Sequence, residues 1–174
     1  MKFTKRALII KSTDKFGNTP LHKAVASPLE RGDTDDLYVV RALIQNDTNR
    51  NGQNNEGDTI LHLAMKSYWC DRPNHLDLFK LLLDDSIPLT DETPLRITQK
   101  DRNGRHPYLL SAFVRDGAEY MKLLQPRVND RETATAVLLG KDNYGNGFHA
   151  LVNRPYEERL QWIDSEMQRL VDVG

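Results

Sequence analysis

The feature that most constrains the fold is a short motif that occurs twice. The stretch DKFGNTPLHKA, residues 14–24, returns 40 residues later as NNEGDTILHLA, residues 54–64. Both copies place Gly, Thr, Leu, His and Ala at the same offsets. Similarity at a fixed spacing of roughly 20 to 50 residues indicates a chain built by stacking copies of one structural unit.

The first copy predicts a tight turn followed by a short helix. Gly17 can adopt the positive φ of such a turn without a Cβ clash. Thr19 suits the N-cap of a helix, and Pro20 has its φ preset for the first helical position. Ala24 is small enough to let a second helix approach closely. We therefore expect a helix that begins at Pro20.

A second helix follows in each copy. LYVVRALI, residues 37–44, has apolar residues at 37, 39, 40, 43 and 44, which predicts one buried helical face. HLDLFKLLL, residues 75–83, repeats this pattern in the second copy. Each unit is thus predicted to consist of a turn, a helix, a loop and an antiparallel helix.

These units resemble ankyrin repeats, whose signature is a turn followed by T-P-L-H-x-A and a paired helix. TPLHKA at residues 19–24 matches in full, and TILHLA at residues 59–64 departs only at Ile60. Two weaker copies follow. DRNGRHPYLLSA, residues 101–112, has His106 in the threonine position, and DNYGNGFHALV, residues 142–152, has a displaced His149.

The resemblance implies an all-α, ankyrin-type helix-turn-helix solenoid of about four repeats, with capping helices and long loop insertions. The turn glycines lie 40, 47 and 41 residues apart, against about 33 for the family. We expect one domain over residues 1–174. Its predicted parts are an N-terminal cap (1–13), repeat 1 (14–53), repeat 2 (54–100), repeat 3 (101–141), and repeat 4 with a C-terminal capping helix (142–174).

Charge and cysteine content exclude several classes of function. The chain has 24 basic and 25 acidic residues, so no overall field favours nucleic acid or anionic lipid. The single cysteine excludes an internal disulfide framework and suits a reducing compartment. No apolar run reaches the length of a signal peptide core or a membrane span. We expect a cytoplasmic protein, located in the host cytosol if it is an exported effector.

Three patterns suggest chemistry, and each has a structural interpretation that we favour. His22 and His62 occupy the family histidine position, where the resemblance implies hydrogen bonds to backbone between neighbouring turns rather than a metal site. Gly145, Gly147 and Ala150 spell G-x-G-x-x-A, but a dinucleotide site also needs flanking strand, helix and second strand. We expect no metal and no cofactor.

Cys70 is the third such pattern. With His75 it could form a Cys–His nucleophile pair or half a zinc site, but no second metal-ligand motif accompanies it. We expect an ordinary free thiol in a loop. Reactivity of this thiol toward a mild alkylating agent would distinguish the two interpretations.

The resemblance implies that a partner protein binds the turn tips and the first-helix face. Aromatic side chains are favoured at such surfaces because they bury a large area at little entropic cost. Tyr68 and Trp69 enter an insertion, and for Trp69 packing of the insertion onto the helices is an equal alternative. The predicted partner-binding residues are Lys15, Phe16, Asn18, Asn55, Glu56, Asp58, Tyr68, Trp69, Arg102, Asn103, Arg105, Asn143 and Tyr144.

The predicted function is a non-catalytic protein–protein interaction module that binds as a monomer to another protein, without nucleic acid or membrane. Two alternatives stay open. The chain could be the ankyrin scaffold of a secreted bacterial effector that acts on host proteins, or an enzyme with a Cys–His site in its insertions.

Overall fold

The computed structural model describes residues 12–26, 34–46, 49–66, 75–87, 94–114, 116–147 and 168. Over these residues the fold is all-helical, with seven α-helices, one 3-10 turn and a single isolated β-bridge between Lys141 and Gly147. The all-α prediction is confirmed. The chain forms two compact units that divide between Arg96 and Ile97.

The first unit contains two helix pairs. Its helices are α1 (Pro20–Ala26), α2 (Thr34–Asn46), α3 (Ile60–Lys66) and α4 (His75–Leu82). α1 packs against α2 in its own pair and against α3 of the next pair, and α4 packs against both α3 and α2. Helix pairs of one repeat therefore stack on those of the next, as the repeated motif predicts.

The stacked pairs bury an aliphatic core. Its members are Leu21, Val25, Val40, Ile44, Ile60, Leu61, Ala64, Met65, Leu78, Phe79, Leu81 and Leu82. The predicted face of α2 is only partly buried, because Val39 lies on the solvent side and is exposed. A buried arginine closes the end of α4: the guanidinium of Arg50 donates to the Leu82 carbonyl oxygen at 3.3 Å.

The second unit begins with a shorter helix pair. α5 (Pro107–Ser111) packs against α6 (Gly117–Leu124), and a 3-10 turn (Gln125–Arg127) follows. His106, which replaces the usual threonine, is the N-cap of α5, and its Nδ1 atom accepts the Leu109 backbone N–H at 3.0 Å. A histidine can therefore cap this helix in place of a hydroxyl.

One of the insertions, which were predicted to be long loops, forms a helix. The segment PRVNDRETATAVL, residues 126–138, contains most of α7 (Arg131–Leu139). Asp130 caps this helix by accepting the Thr133 backbone N–H at 2.8 Å and the Thr133 hydroxyl at 2.7 Å. Val137 is buried and attaches the helix to the second unit.

Several predicted features lie outside the described residues. They are most of the N-terminal cap, the segment with Tyr68, Trp69 and Cys70, the displaced His149, and nearly all of the C-terminal capping helix. Within that last segment Gln168 is described, and it is helical and exposed, as its position in the predicted helix requires. The repeat boundaries and the single domain stay predictions.

Candidate protein-binding surface

Each of the four turns is built around one Asp or Asn side chain. In the first turn Asp14 Oδ1 accepts the backbone N–H groups of Phe16 and Asn18, both at 2.9 Å. Asn54, Asp101 and Asp142 bind the corresponding amides of their own turns. We call these turns tip 1 (residues 14–18), tip 2 (54–58), tip 3 (101–105) and tip 4 (142–146).

A glycine with positive φ completes each tip. The φ angles are 76° at Gly17, 74° at Gly57, 78° at Gly104 and 80° at Gly145. Other residues rarely adopt this left-handed backbone. The four glycines identified in the sequence therefore hold one common turn conformation.

In the first unit the two tips are joined directly. The Asn55 backbone N–H donates to the Phe16 carbonyl oxygen at 2.9 Å, and Asn55 Nδ2 donates to the Lys15 carbonyl oxygen at 3.1 Å. Asn55 lies so close to tip 1 that a Cβ at Gly17 would be 2.5 Å from Asn55 Oδ1. Gly17 thus provides both the turn conformation and the space for the next tip.

The second unit repeats this junction residue for residue. The Asn143 backbone N–H donates to the Asn103 carbonyl oxygen at 2.8 Å, and Asn143 Nδ2 donates to the Arg102 carbonyl oxygen at 2.7 Å. A Cβ at Gly104 would again lie 2.5 Å from the asparagine Oδ1. We call the roles of Asn55 and Asn143 the asparagine tie.

The predicted structural role of His22 is confirmed. Its Nδ1 atom accepts the Thr19 backbone N–H at 3.3 Å, so its Nε2 atom is the donor. Nε2 lies 3.1 Å from the Gly52 carbonyl oxygen and 3.3 Å from that of Asp58. The histidine therefore links the start of α1 to the backbone around tip 2.

Several predicted binding residues are exposed at the tips. Phe16 is 58% exposed, and the Lys15 ammonium lies 4.9 Å from the centre of its ring. Asn55 and Glu56 are exposed beside them. In the second unit Arg102 and Asn143 are exposed, and Tyr144 is 79% exposed.

Four other predicted residues are used mainly inside the molecule. Asn18 Oδ1 accepts the Asn54 side-chain amide at 2.9 Å. Asp58 is buried and pairs with Lys66. Asn103 is half-buried, and Arg105 pairs at 3.0 Å with the fully buried carboxylate of Asp101. Tyr68 and Trp69 are not among the described residues.

The hydrogen bonds of the tips stabilise the charged form of their carboxylates. Bonds from the Asn18 and Phe16 backbone amides lower the pKa of Asp14 to about 2, and Lys23 adds to this effect. Burial alone would raise the pKa of Asp142, but bonds from Asn146 and from the Tyr144 amide bring it below its ordinary value. Both carboxylates are therefore ionised at neutral pH.

Three observations on the described part of the chain concern metal, nucleotide and membrane binding. No three His, Cys, Asp or Glu residues among those described are grouped to hold a metal ion. The segment before Gly145 is helix α7, not the strand that a dinucleotide site requires. No helix within the described ranges is long and apolar enough to span a membrane.

Two surface features are absent from the predicted site. A shallow cavity of about 660 Å³ lies between α2 and α4, lined by Leu37, Tyr38, Arg41, Asp77, Lys80, Leu81 and Asp84. The one aromatic ring among these lining residues is that of Tyr38, which interrupts the apolar face of α2. An aromatic residue at this position is the sequence signal that could have revealed the cavity. The second feature is Lys141, which precedes tip 4 as Lys100 precedes tip 3.

The stacked helix pairs, the tight turns and the ties between neighbouring tips define the class of helical repeat proteins. The family model for ankyrin repeats in three copies matches residues 4–93, just over half of the chain. The chain therefore belongs to the ankyrin repeat family. Members of this family typically bind proteins and generally are not catalytic. No curated protein matches the chain.

Proposed function

We propose that the chain is a non-catalytic protein-binding module that contacts its partner through the turn tips and the adjoining first-helix face. The observation that carries this proposal is the exposure of Phe16 and Tyr144 on tips whose backbone is held by hydrogen bonds. Aromatic side chains at a protein surface are typical binding anchors, because they bury a large area at little entropic cost.

The proposed contact residues divide into two groups by their exposure. Those that touch the partner are Lys15, Phe16, Asn55, Glu56, Arg102, Asn143 and Tyr144. Those that hold the tips in place are Asn18, Asp58, Asn103 and Arg105. Tyr68 and Trp69 stay in the proposal on the strength of their residue type and their position at an insertion.

The proposed mechanism is rigid display. Ordering a loop on binding costs conformational entropy, and a surface that is already ordered avoids much of that cost. Each tip has its amides held by Asp or Asn, and the asparagine ties fix its spacing from the next tip. The tips of each unit therefore meet a partner in the conformation they already have.

We further propose a monomer in the cytoplasm that binds neither nucleic acid nor membrane. The near balance of 24 basic and 25 acidic residues and the single cysteine support this. The partner itself is another protein.

The test is affinity capture with paired variants, each of which removes two large exposed apolar side chains. One variant carries Phe16→Ala and Tyr144→Ala at the tips, and its matched control carries Tyr38→Ala and Leu139→Ala, which remove exposed apolar side chains from helices. Captured proteins are quantified by mass spectrometry. We expect the tip variant to lose one or more specific partners by on the order of tenfold, as for anchor residues, while the helix control retains them.

Both variants should melt at the wild-type temperature, because the four side chains are exposed. The proposal is wrong if the tip variant retains every partner, or if the helix control alone loses them. In the latter case the binding surface would be the outer helices.

A further inference from the structure

The edge formed by tips 3 and 4 has its two acids buried and three of its four bases exposed. The two acidic residues in residues 100–105 and 141–147 are Asp101 and Asp142, and both are buried. Their oxygens bind backbone amides of their own tips. Lys100, Arg102 and Lys141 are all exposed. We call these three residues the basic edge.

The basic edge is held at fixed spacing. Lys100 Nζ donates to the Lys141 carbonyl oxygen at 3.3 Å. The Lys100 ammonium group therefore contacts the backbone of the residue that carries the second ammonium group. The Arg102 carbonyl oxygen accepts Asn143 Nδ2 at 2.7 Å, so the backbone of tip 3 cannot separate from tip 4. Exposed positive groups on adjoining tips attract an anion.

An exposed aromatic residue, Tyr144, follows Lys141 by three positions. Tyr144 is the most exposed of the large hydrophobic side chains in the described chain, and its backbone N–H is bound by Asp142 Oδ1. Its ring is therefore presented from a fixed backbone position one residue from Asn143.

The tips of the first unit lack this bias. Lys15 and Glu56 are both exposed and cancel in charge. The preference for an anion thus belongs to tips 3 and 4.

We propose that the basic edge and Tyr144 bind an acidic segment of the partner protein, with aspartate or glutamate carboxylates on the bases and an apolar residue on the ring. This inference rests on the proposed protein-binding function and specifies its partner. Nucleic acid fits less well, because the edge has three bases, one aromatic ring and a chain whose net charge is −1. Duplex binding commonly uses about 6–10 phosphate contacts.

The test measures fluorescence anisotropy of the full chain with a short fluorescein-labelled peptide of alternating Glu and Asp around a central Phe. The control peptide has Gln and Asn in their place. A labelled DNA duplex is the third probe. We expect the acidic peptide to bind, and its affinity to fall as the salt concentration is raised. Its affinity should exceed that of the neutral peptide by on the order of tenfold.

Matched charge reversals locate the site. The Lys100→Glu, Lys141→Glu variant should bind the acidic peptide more weakly than the wild type, by on the order of tenfold or more. The Lys122→Glu, Arg131→Glu control reverses two exposed bases on α6 and α7 and should leave the affinity within about twofold, since distant exposed charges are screened. If the glutamate variant fails to fold by circular dichroism, Lys100→Gln with Lys141→Gln replaces it.

The inference is overturned by any of three results. These are no binding of the acidic peptide, equal losses in the tip and helix reversals, or tighter binding of the DNA duplex than of the peptide. The wider proposal is judged separately, because capture that depends on Phe16 and Tyr144 would support protein binding even if the acidic peptide did not bind.

Discussion

The turn glycines have two distinct physical roles, and the structure separates them. Gly145 has φ of 80° but nothing within 4 Å of where a Cβ would stand. Gly104 has nearly the same φ, and a Cβ there would also meet the Asn143 backbone nitrogen at 2.9 Å. One glycine is required for conformation alone, and the other for conformation and close approach.

Alanine substitution should therefore have unequal costs. We expect Gly145→Ala to lower the free energy of unfolding by about 1 kcal/mol, the cost of a left-handed non-glycine residue. Gly104→Ala should cost about 2 kcal/mol more, because the clash falls partly on backbone. Urea unfolding of both variants measures the difference. Equal losses would mean that the tie between tips 3 and 4 is not as close as the structure shows.

The acid sensitivity of tip 1 depends on the ionisation of Asp14. Its pKa is lowered from 3.8 to about 2 in the folded chain. A carboxyl group whose folded pKa is depressed contributes stability above its unfolded pKa, and that contribution is lost as the pH falls through the folded value.

The Asp14→Asn variant isolates this contribution. Asn54 accepts the same two amide bonds in tip 2, so asparagine should keep the hydrogen bonds of tip 1 without the charge. We expect the wild type to have a higher urea midpoint than the variant at neutral pH. The difference between the two midpoints should disappear as the pH falls from about 4 to about 2. A gap that stays constant over that interval would show that the charge of Asp14 does not contribute.

At the scale of elements, the helices that follow the repeated turn motif and show a periodic apolar face were predictable, whereas α7, which has a cap but no clear periodic pattern, was not. α1 begins at Pro20 after the Thr19 cap, and α3 begins in the same register after Thr59. The sequence did not predict α7, because its threonines and short length hide the apolar face. Val137 is the buried apolar residue of α7 whose side chain the structure describes. The signal available was Asp130, three residues before Thr133.

The N-cap of α7 can be tested by one substitution. Asp130→Ala removes both bonds to Thr133 and should lower the free energy of unfolding by about 1 kcal/mol. The control is Glu132→Ala, which removes an exposed acid from the same first turn and should cost a few tenths of a kcal/mol. Thermal or urea unfolding of the two variants supplies the comparison. Equal effects would assign the loss to helix charge rather than to capping.

The candidate surface was predictable in part, for a reason that is visible in single residues. Residue type identified Phe16 and Tyr144 as exposed aromatics at turns. It did not distinguish Asp58, which is buried and paired with Lys66, from Glu56, which is exposed two residues away. Side-chain direction at a tight turn depends on which amides the neighbouring residues bind, and no periodicity in the sequence encodes that.

At the scale of the whole molecule, one device recurs in both units. A tip held by Asp or Asn receives the asparagine tie of the following tip, at Asn55 in the first unit and at Asn143 in the second. Helix pairs provide the core and the tips provide a surface whose backbone is already ordered. Under the proposed function, the exposed side chains of the tips determine what each unit binds, while the hydrogen bonds of the Asp and Asn side chains hold the turn conformation.

Hydrogen–deuterium exchange of the chain, free and bound to the partner recovered by capture, tests this division most directly. We expect protection on binding to concentrate in the four tips, residues 14–18, 54–58, 101–105 and 142–146, and in the adjoining starts of α1, α3 and α5. Protection confined to the outer helices α2 and α4, with the tips unchanged, would contradict it.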